Sequence, residues 1–176
     1  MPEPATNAGE SDAKASVGPG SAGAGVSWTS FTWRHTHKLD GQKRVAFPAA
    51  WKPRDPEVEF TLLLWPHPHA ERKYGYILGL LPDRFRKLQE KLAEGGLANH
   101  RTGALKRAIF PNCAAMRLDP AGRLCLPADM ADAVGLQKEV LFSGVGADFE
   151  IWDPATFHRC QQAESPIADE AFNLLA

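Results

Sequence analysis

Basic side chains are concentrated near the middle of the chain, in a pattern suited to phosphate binding. Six of them fall within 21 residues, at Arg34, Lys38, Lys43, Arg44, Lys52 and Arg54. Neutralising phosphates releases counterions and supplies most non-specific affinity for a nucleic acid, so a DNA-binding surface needs several cations close together. If residues 34–38 alternate as a strand, the first and last of them lie on one face. The cluster therefore predicts a nucleic-acid surface.

The net charge of the whole chain conceals this cluster. The 176 residues contain 20 Lys and Arg against 21 Asp and Glu, a formal charge of −1, which by itself argues against a nucleic-acid partner. Counted by segment, residues 28–110 carry +7, residues 111–176 carry −6 and residues 1–27 carry −2. The chain is thus divided into a basic middle and an acidic end.

The basic stretch belongs to an internal repeat with an offset of 79 residues. Five of eleven positions are identical, since Leu39, Asp40, Arg44, Pro48 and Ala49 recur as Leu118, Asp119, Arg123, Pro127 and Ala128. In such an element, Asp begins a tight turn by accepting hydrogen bonds from amides two residues on, and Pro ends a strand and begins a helix. We therefore assign turn-forming roles to Asp40, Pro48, Asp119, Gly122 and Pro127. A purely structural interpretation stays open, in which Asp and Arg only pair across the turn.

Hydrophobic periodicity predicts the same order of elements in both copies: strand, turn, strand, short helix, hairpin, helix. Period-two alternation predicts a strand at residues 29–33, and short apolar segments predict further strands at 45–47, 60–65, 76–78, 140–142 and 149–152. Apolar residues at helical spacing predict a helix over 83–94 that glycine ends, a short helix follows Pro127, and Asp153 caps a last helix.

The first 26 residues differ in composition from the rest. They contain 19 from the set Ala, Gly, Ser, Pro and Glu, so we predict a disordered tail over 1–27. Two units follow, a basic one over 28–100 and an acidic one over 101–163, and then a C-terminal helix or tail over 164–176. The absence of an apolar leader or an apolar run of membrane-spanning length predicts a cytoplasmic protein.

The repeated motifs resemble those of the MraZ family. The resemblance rests on residues 39–52, on 118–128 and on the segment Val-Gly-x-x-Phe-Glu-Ile-Trp-Asp at 145–153, and it covers residues 31–163. It implies a β-rich α+β fold, in which two tandem AbrB-like units of SpoVT type form a pseudo-twofold swapped-hairpin β-barrel with flanking helices. In function it implies a nucleoid-associated transcription regulator of the division and cell-wall gene cluster. Such a regulator binds promoter direct repeats in double-stranded DNA as a ring-like homo-oligomer, without a cofactor, metal or membrane. Lys43 departs from the family, which usually has Gly there.

The resemblance also carries DNA contact onto particular residues. In the first copy these are Lys38, Arg44 and Lys52, to which the local charge adds Arg34 and Lys43; in the second copy they are Arg117 and Arg123. Arg44 is the best candidate for a base or phosphate contact, because its planar fork suits guanine edges and phosphate alike. The role of Arg123 stays open between DNA contact and packing on Asp119 or a neighbouring subunit, because the second copy is acidic overall.

Other residue patterns allow different chemistry. His35, His37, His67 and His69 form two H-x-H pairs, but no local Cys or carboxylate completes a metal site, so we predict none. The three cysteines, 113, 125 and 160, are odd in number and lack a C-x-x-C pair, so we expect small core residues. Basic residues of the 83–94 helix are either a solvated face or secondary phosphate contacts.

Two alternative functions remain from other classes. A small β-barrel enzyme could use Asp40, His37 and Cys125, although neither a nucleophile elbow nor a phosphate loop is present, and we predict no enzyme. An antitoxin-like interaction module would wrap residues 165–176 around a partner protein. Salt-dependent DNA binding separates the regulator from both alternatives.

Overall fold

The computed structural model describes residues 30–95 and 99–174. The tail predicted over 1–27 lies outside the described residues. The strands are β1 (Arg34–Lys38), β2 (Arg44–Ala46), β3 (Phe60–Trp65), β4 (Tyr76–Leu80), β5 (Cys113–Met116), β6 (Arg123–Cys125), β7 (Glu139–Gly144) and β8 (Phe149–Trp152). The helices are α1 (Pro82–Glu94), α2 (His100–Ile109), α3 (Ala128–Ala133) and α4 (Pro154–Asn173), with 3-10 turns at Ala49–Trp51 and Phe110–Asn112.

The strands of the two copies are interlaced. Six of them form one antiparallel sheet in the order β1-β7-β8-β4-β3-β5, and β2 pairs with β6 in a separate two-stranded ribbon. Exchanging the copies, so that β1 becomes β5 and β3 becomes β7, gives the same order read backwards. The first strand of each copy therefore pairs with the hairpin of the other copy, and the fold has an internal pseudo-twofold symmetry.

The six-stranded sheet is open. Within the described residues, β1 pairs only with β7 and β5 pairs only with β3, so these two strands form its edges. The β-rich α+β class is as predicted, whereas a closed barrel is not seen. The physical reason is that β2 and β6, three residues each, leave the main sheet after a tight turn and pair with each other.

Both copies contribute to one hydrophobic core. Phe47 follows β2 and is 2% exposed, and its ring centroid lies 5.2 Å from Phe60, 5.7 Å from Phe142 and 5.3 Å from Phe149. Two of these partners belong to the second copy. Such edge-on and tilted aromatic contacts add to the free energy gained by burial. The core is thus shared between the copies rather than divided between two units.

The first predicted strand is displaced. We predicted it over 29–33, but the structure has β1 at Arg34–Lys38 and only an isolated bridge between Phe31 and Gly146. Trp33 explains the difference, because its φ of +73° is incompatible with an extended strand. Aromatic and hydroxyl residues alternate in the sequence, but at Trp33 the backbone is not extended as it would be in a strand.

Two helices also exceed the sequence prediction. Helix α2 was not predicted, and Asn99 caps it by accepting hydrogen bonds from the amides of Arg101 and Thr102. Helix α4 runs 20 residues to Asn173, through Pro166, so most of the segment predicted over 164–176 is helical.

Candidate nucleic-acid interface

The turn before β2 is built around the carboxylate of Asp40. Its Oδ1 accepts hydrogen bonds from the amides of Gln42 and Arg44, both at 2.9 Å, and its Oδ2 accepts one from Arg44 Nε at 2.7 Å. The main chain closes the turn through Lys43 N to the Asp40 carbonyl at 3.0 Å. One carboxylate therefore fixes both the backbone of the turn and the root of the Arg44 guanidinium.

The turn before β6 repeats this arrangement. Asp119 Oδ1 accepts from the amides of Ala121 and Arg123 at 2.9 Å, and Oδ2 accepts from Arg123 Nε at 2.8 Å. Gly122 N donates to the Asp119 carbonyl at 2.7 Å. The sequence repeat is thus a repeat of these hydrogen bonds, and in the second copy Arg123 Nη2 also lies 2.8 Å from Asp119 Oδ2.

These contacts keep both carboxyl groups ionised. The amide of Arg44, followed by its guanidinium, holds the pKa of Asp40 below its ordinary value, and Arg123 does the same for the pKa of Asp119. An ionised carboxylate accepts a stronger hydrogen bond from Nε–H than a protonated carboxyl group does. Each Arg is therefore held by a charged partner at physiological pH.

Lys43 takes the backbone conformation that Gly122 takes in the other copy. The φ values are +58° for Lys43 and +73° for Gly122, in the left-handed region that disfavours side chains. The Lys43 side chain is held by hydrogen bonds to Asp132 Oδ1 at 2.8 Å and to the Leu136 carbonyl at 3.2 Å. The family departure at this position therefore keeps the turn, and the added charge is paired with Asp132.

The ribbon places the two arginines on one surface. In its register Val45 opposes Leu124, and both are fully buried, so their neighbours along each strand point outward. Arg44 opposes Cys125 and Arg123 opposes Ala46, which makes the arginines diagonal neighbours. Diagonal positions in an antiparallel pair are about 7–8 Å apart. The outward face thus carries two arginines flanked by small side chains.

Lys52 of the first copy adds a cation to the turn of the second copy. Lys52 Nζ lies so close to Gly122 that a Cβ at that glycine would overlap it. Lys52 belongs to the first copy by sequence and to the turn of the second copy by position. Arg44, Arg123, Lys43 and Lys52 are therefore brought to the two turns that flank the ribbon.

The remaining predicted cations lie elsewhere or are paired. Arg34 and Lys38 share the exposed face of β1, as the alternation predicts. Arg34 donates to Gln161 of α4 at 3.3 Å and stacks over Phe157, whereas Lys38 lines a hollow at the start of α4. Arg117 forms ion pairs with Glu57 and Glu59. Arg34 and Arg117 are therefore both engaged by other side chains of the chain.

The prolines of the repeat lie at equivalent points. Pro48 precedes the 3-10 turn at Ala49–Trp51, and Pro127 precedes α3. Each follows a ribbon strand, and the residue before each is buried in the core: Phe47 in the first copy and Leu126 in the second. The ribbon is therefore anchored at both ends while its outer face stays accessible.

The basic face of α1 is partly neutralised. Arg84 donates to both carboxylate oxygens of Asp148, at 2.9 and 2.8 Å, which raises its pKa, and Arg86 pairs with Asp83 at 3.0 Å. Both arginines are thus engaged by carboxylates.

Histidines and cysteines are dispersed through the fold. In the described ranges no group of three or more His, Cys, Asp or Glu residues is arranged to hold a metal ion. The His35 ring packs edge-on against Trp51, and burial, followed by proximity to His35, lowers the pKa of His37. Of the three cysteines expected in the core, only Cys160 is buried; Cys113 is partly exposed, and so is Cys125, on the outer face of β6. Asp40, which the sequence offered as a residue of a small enzyme, is engaged by Arg44.

Sequence reasoning missed two features of the structure. It found no equivalent of Lys52 for the second copy, because a repeat does not reveal which copy's strands pair. It also missed the basic helix α2, although Asn99 is a sequence signal for a helix start.

Two interlaced copies, each with an Asp-supported Arg turn, define a β-rich α+β protein of duplicated architecture. The family model described as "MraZ protein, putative antitoxin-like" matches residues 109–174. A "Transcriptional regulator MraZ" from Dehalococcoides mccartyi is 32% identical over 132 residues, 75% of this chain and 88% of the relative. Relatives of the same name from Delftia acidovorans and Rhodospirillum rubrum are 30% and 29% identical, covering 76% and 70% of this chain and 92% and 79% of their own lengths. The chain belongs to the MraZ family.

None of the helices described here combines the length and apolar character needed to span a membrane.

Proposed function

We propose that this chain is a sequence-specific DNA-binding transcription regulator whose β2–β6 ribbon is the contact surface. The carrying observation is that Arg44 and Arg123 lie together on the outward face of the ribbon, each held at Nε by a carboxylate. Relatives of similar length are named as transcriptional regulators. Cytoplasmic, nucleoid-associated localisation follows from this function.

The Asp40–Arg44 pair prepares Arg44 for recognition. Asp40 binds Arg44 through Nε, and the terminal amino groups of Arg44 have no hydrogen-bond partner within residues 30–95 and 99–174. Those groups are the ones that reach phosphate oxygens or the O6 and N7 atoms of guanine. Because the side chain is already oriented, less conformational entropy is lost on binding. A two-stranded ribbon also fits the width of the major groove of B-DNA.

The proposal also covers how several chains assemble and which DNA sites they bind. Two AbrB-like units, bounded near residues 28–100 and 101–163, would act as one swapped-hairpin module, which the interlaced strand order supports. Several such modules in a ring would bind direct repeats before division and cell-wall genes. Identical subunits on tandem sites raise affinity through effective concentration, so a small ribbon in each chain suffices. Lys38, Arg34 and Arg117 would add secondary contacts where DNA extends beyond the ribbon.

Selection of bound fragments from random genomic DNA tests the proposal. We expect enriched fragments to share short motifs in the same orientation at regular spacing, and we expect affinity to fall steeply as salt rises. A matched selection with an Arg44→Ala, Arg123→Ala chain controls for adventitious binding. Equal enrichment by both proteins, or no enrichment by the wild type, would show that the ribbon does not recognise DNA.

A second candidate function has its own support. The matching family is described as "putative antitoxin-like", and residues 161–173 of α4 are exposed. A protein-interaction module of antitoxin type would use that half-helix to bind a partner protein. Binding of DNA by the purified chain, with a salt dependence that Arg44→Ala reduces, favours the regulator over this alternative.

A further inference from the structure

A cleft lies between helix α4 and one face of the six-stranded sheet. Its volume is about 510 Å³, within the range of about 300–1,000 Å³ that is common for small-ligand sites. The sheet contributes Tyr76 of β4 together with Glu150 and Trp152 of β8, and the last two share a face because they are two residues apart. Helix α4 lines the other side with residues at helical spacing: Phe157, Gln161, Glu164 and Ala168. We call this space the α4 cleft; it combines a side chain of the first copy with side chains of the second.

The floor of the α4 cleft is aromatic. Tyr76 and Trp152 stack with their ring centroids 4.4 Å apart, and Phe157 meets Trp152 edge-on at 5.6 Å. Phe172 also lines the cleft and is 68% exposed, so an apolar ring is accessible there. Aromatic rings attract cations as well as apolar groups, because the face of each ring is electron-rich. The lining therefore suits a ligand with an apolar body and favours positive charge over negative charge.

Three carboxylates line the same cleft. Glu150 is fixed in the floor, where its Oε2 accepts a hydrogen bond from Trp152 Nε1 at 2.9 Å. Burial raises the pKa of Glu150, and the nearby charge of Glu164 acts in the same direction. Glu164 Oε1 lies 2.8 Å from His67 Nε2, and Asp169 lines the cleft further along α4. Negative charges are therefore crowded into a partly enclosed, aromatic space.

The cations of the chain do not balance this charge. In the part of the chain that the structure describes, no Lys or Arg lines the cleft or forms an ion pair with its three carboxylates. Arg34 touches two wall residues, since it donates to Gln161 at 3.3 Å and its guanidinium carbon lies 5.9 Å from the centroid of the Phe157 ring. His67 contacts Glu164 and carries a charge only when it is protonated. The α4 cleft thus keeps an excess of negative charge at neutral pH.

The carboxylates of the α4 cleft are not arranged around a single point. Across residues 30–95 and 99–174, no three His, Cys, Asp or Glu side chains are placed to bind one metal ion. Ligands of a metal ion must all lie within about 2.0–2.6 Å of that ion. Carboxylates that are spread along an aromatic cleft instead complement an extended molecule. The charge of this cleft therefore suits an organic cation rather than a metal ion.

We propose that the α4 cleft binds a small organic ammonium ion with an apolar body. The ammonium group donates charge-assisted hydrogen bonds to Glu150 in the floor and to Glu164 on α4, and the apolar body lies against Phe172. The bound molecule joins β8 to α4, so it holds the helix against the sheet. This inference does not depend on DNA binding, because neither Arg44 nor Arg123 lines the cleft.

Calorimetric titration of the full-length chain with three matched probes tests the site. Phenethylammonium has the expected chemistry, phenethyl alcohol has a similar shape without the charge, and phenylacetate has the opposite charge. At pH 8 we expect saturable binding of phenethylammonium, at least about tenfold tighter than that of the alcohol, and no binding of phenylacetate. Equal or tighter binding of the alcohol, or no saturable binding of phenethylammonium below about 10 mM, would overturn the proposal.

Variants locate the bound cation, and thermal unfolding of each variant checks its fold. Glu150→Gln and Glu164→Gln keep the shape of the side chain, and each should weaken phenethylammonium binding at least about tenfold. Glu170→Gln is the matched control, because it removes an exposed carboxylate of α4 that does not line the cleft, and it should change affinity less than about twofold. Ala168 is exposed, so Ala168→Trp should fold normally, fill the cleft and abolish binding. If Ala168→Trp or both cleft carboxylate variants bind phenethylammonium like the wild type, or if the control loses as much affinity as they do, the cation is not held in the α4 cleft and the proposal is wrong.

Discussion

Lys52 of the first copy lies against Gly122 of the second copy, at the turn that holds Arg123. The interlaced strands bring together residues that are 70 positions apart in sequence. As a result, the acidic copy acquires a cation that its own sequence lacks. If the ribbon binds DNA, the two turns are more alike in charge than the segment charges of +7 and −6 suggest.

Removing Arg44 should weaken DNA binding without unfolding the chain. We expect Arg44→Ala to lower affinity for a selected site by about 1 to 3 kcal/mol, because a planar bidentate donor is lost. Titration of a labelled duplex by fluorescence anisotropy measures the change. Arg44→Lys is the matched control: it keeps the charge but lacks the fork, so it should recover non-specific binding more than specificity. Normal affinity of a folded, assembled Arg44→Ala chain would contradict the assignment.

Lys52 should act together with Arg123 rather than with Arg44. In a double-mutant cycle for DNA affinity, we expect Lys52→Ala and Arg123→Ala to be non-additive by at least about 0.5 kcal/mol, because both side chains flank the Gly122 turn. The cycle of Lys52→Ala with Arg44→Ala is the comparison and should be closer to additive. If Lys52→Ala coupled more strongly to Arg44→Ala than to Arg123→Ala, Lys52 would act with its own copy. The proposal that the two copies combine at the second turn would then be wrong.

How far the sequence predicts this structure depends on the range of the interaction. Strand β3 was predicted to the residue from its apolar run and helix α1 to within one residue from its helical period, because both signals are local. The Asp40 turn was predictable for the same reason. Pairing of β1 with β7 was not, because a repeat indicates that two units are alike and not which strands pair. Trp33 misled the first strand assignment, since its alternation is regular but its φ is positive.

The left-handed conformation of Lys43 gives a test of backbone strain. Lys43→Gly and Lys43→Ala both remove the ion pair with Asp132. They differ in the strain of a Cβ at φ of +58°, which is partly offset because the unfolded chain with Gly has more conformational entropy. We expect the Gly variant to be more stable to unfolding than the Ala variant by about 1 kcal/mol. Urea denaturation followed by tryptophan fluorescence measures the difference. An Ala variant as stable as the Gly variant would mean that the turn relaxes out of this conformation.

The Asp40 and Asp119 carboxylates should make the chain sensitive to acid. Their pKa values are lower in the folded chain than in an unfolded chain, where the pKa of Asp is about 3.9. Their contribution to stability is therefore fully present above that value and is lost as the pH falls through the folded-state pKa. We expect the urea midpoint of the wild type to fall more between pH 5 and pH 2 than that of Asp40→Asn, Asp119→Asn. Equal decreases would show that other carboxyl groups dominate acid unfolding.

Truncation of Phe47 should unfold both copies together. The side chain is 2% exposed and contacts Phe60 of its own copy and Phe142 and Phe149 of the other, so Phe47→Ala leaves a cavity at the junction of the copies. We expect a loss of about 3 to 5 kcal/mol in the free energy of unfolding. Because the core is shared, circular dichroism and tryptophan fluorescence should report one coincident transition in wild type and variant. Two separate transitions, with only the first copy destabilised, would mean that the copies fold independently and that the interlaced sheet does not couple them.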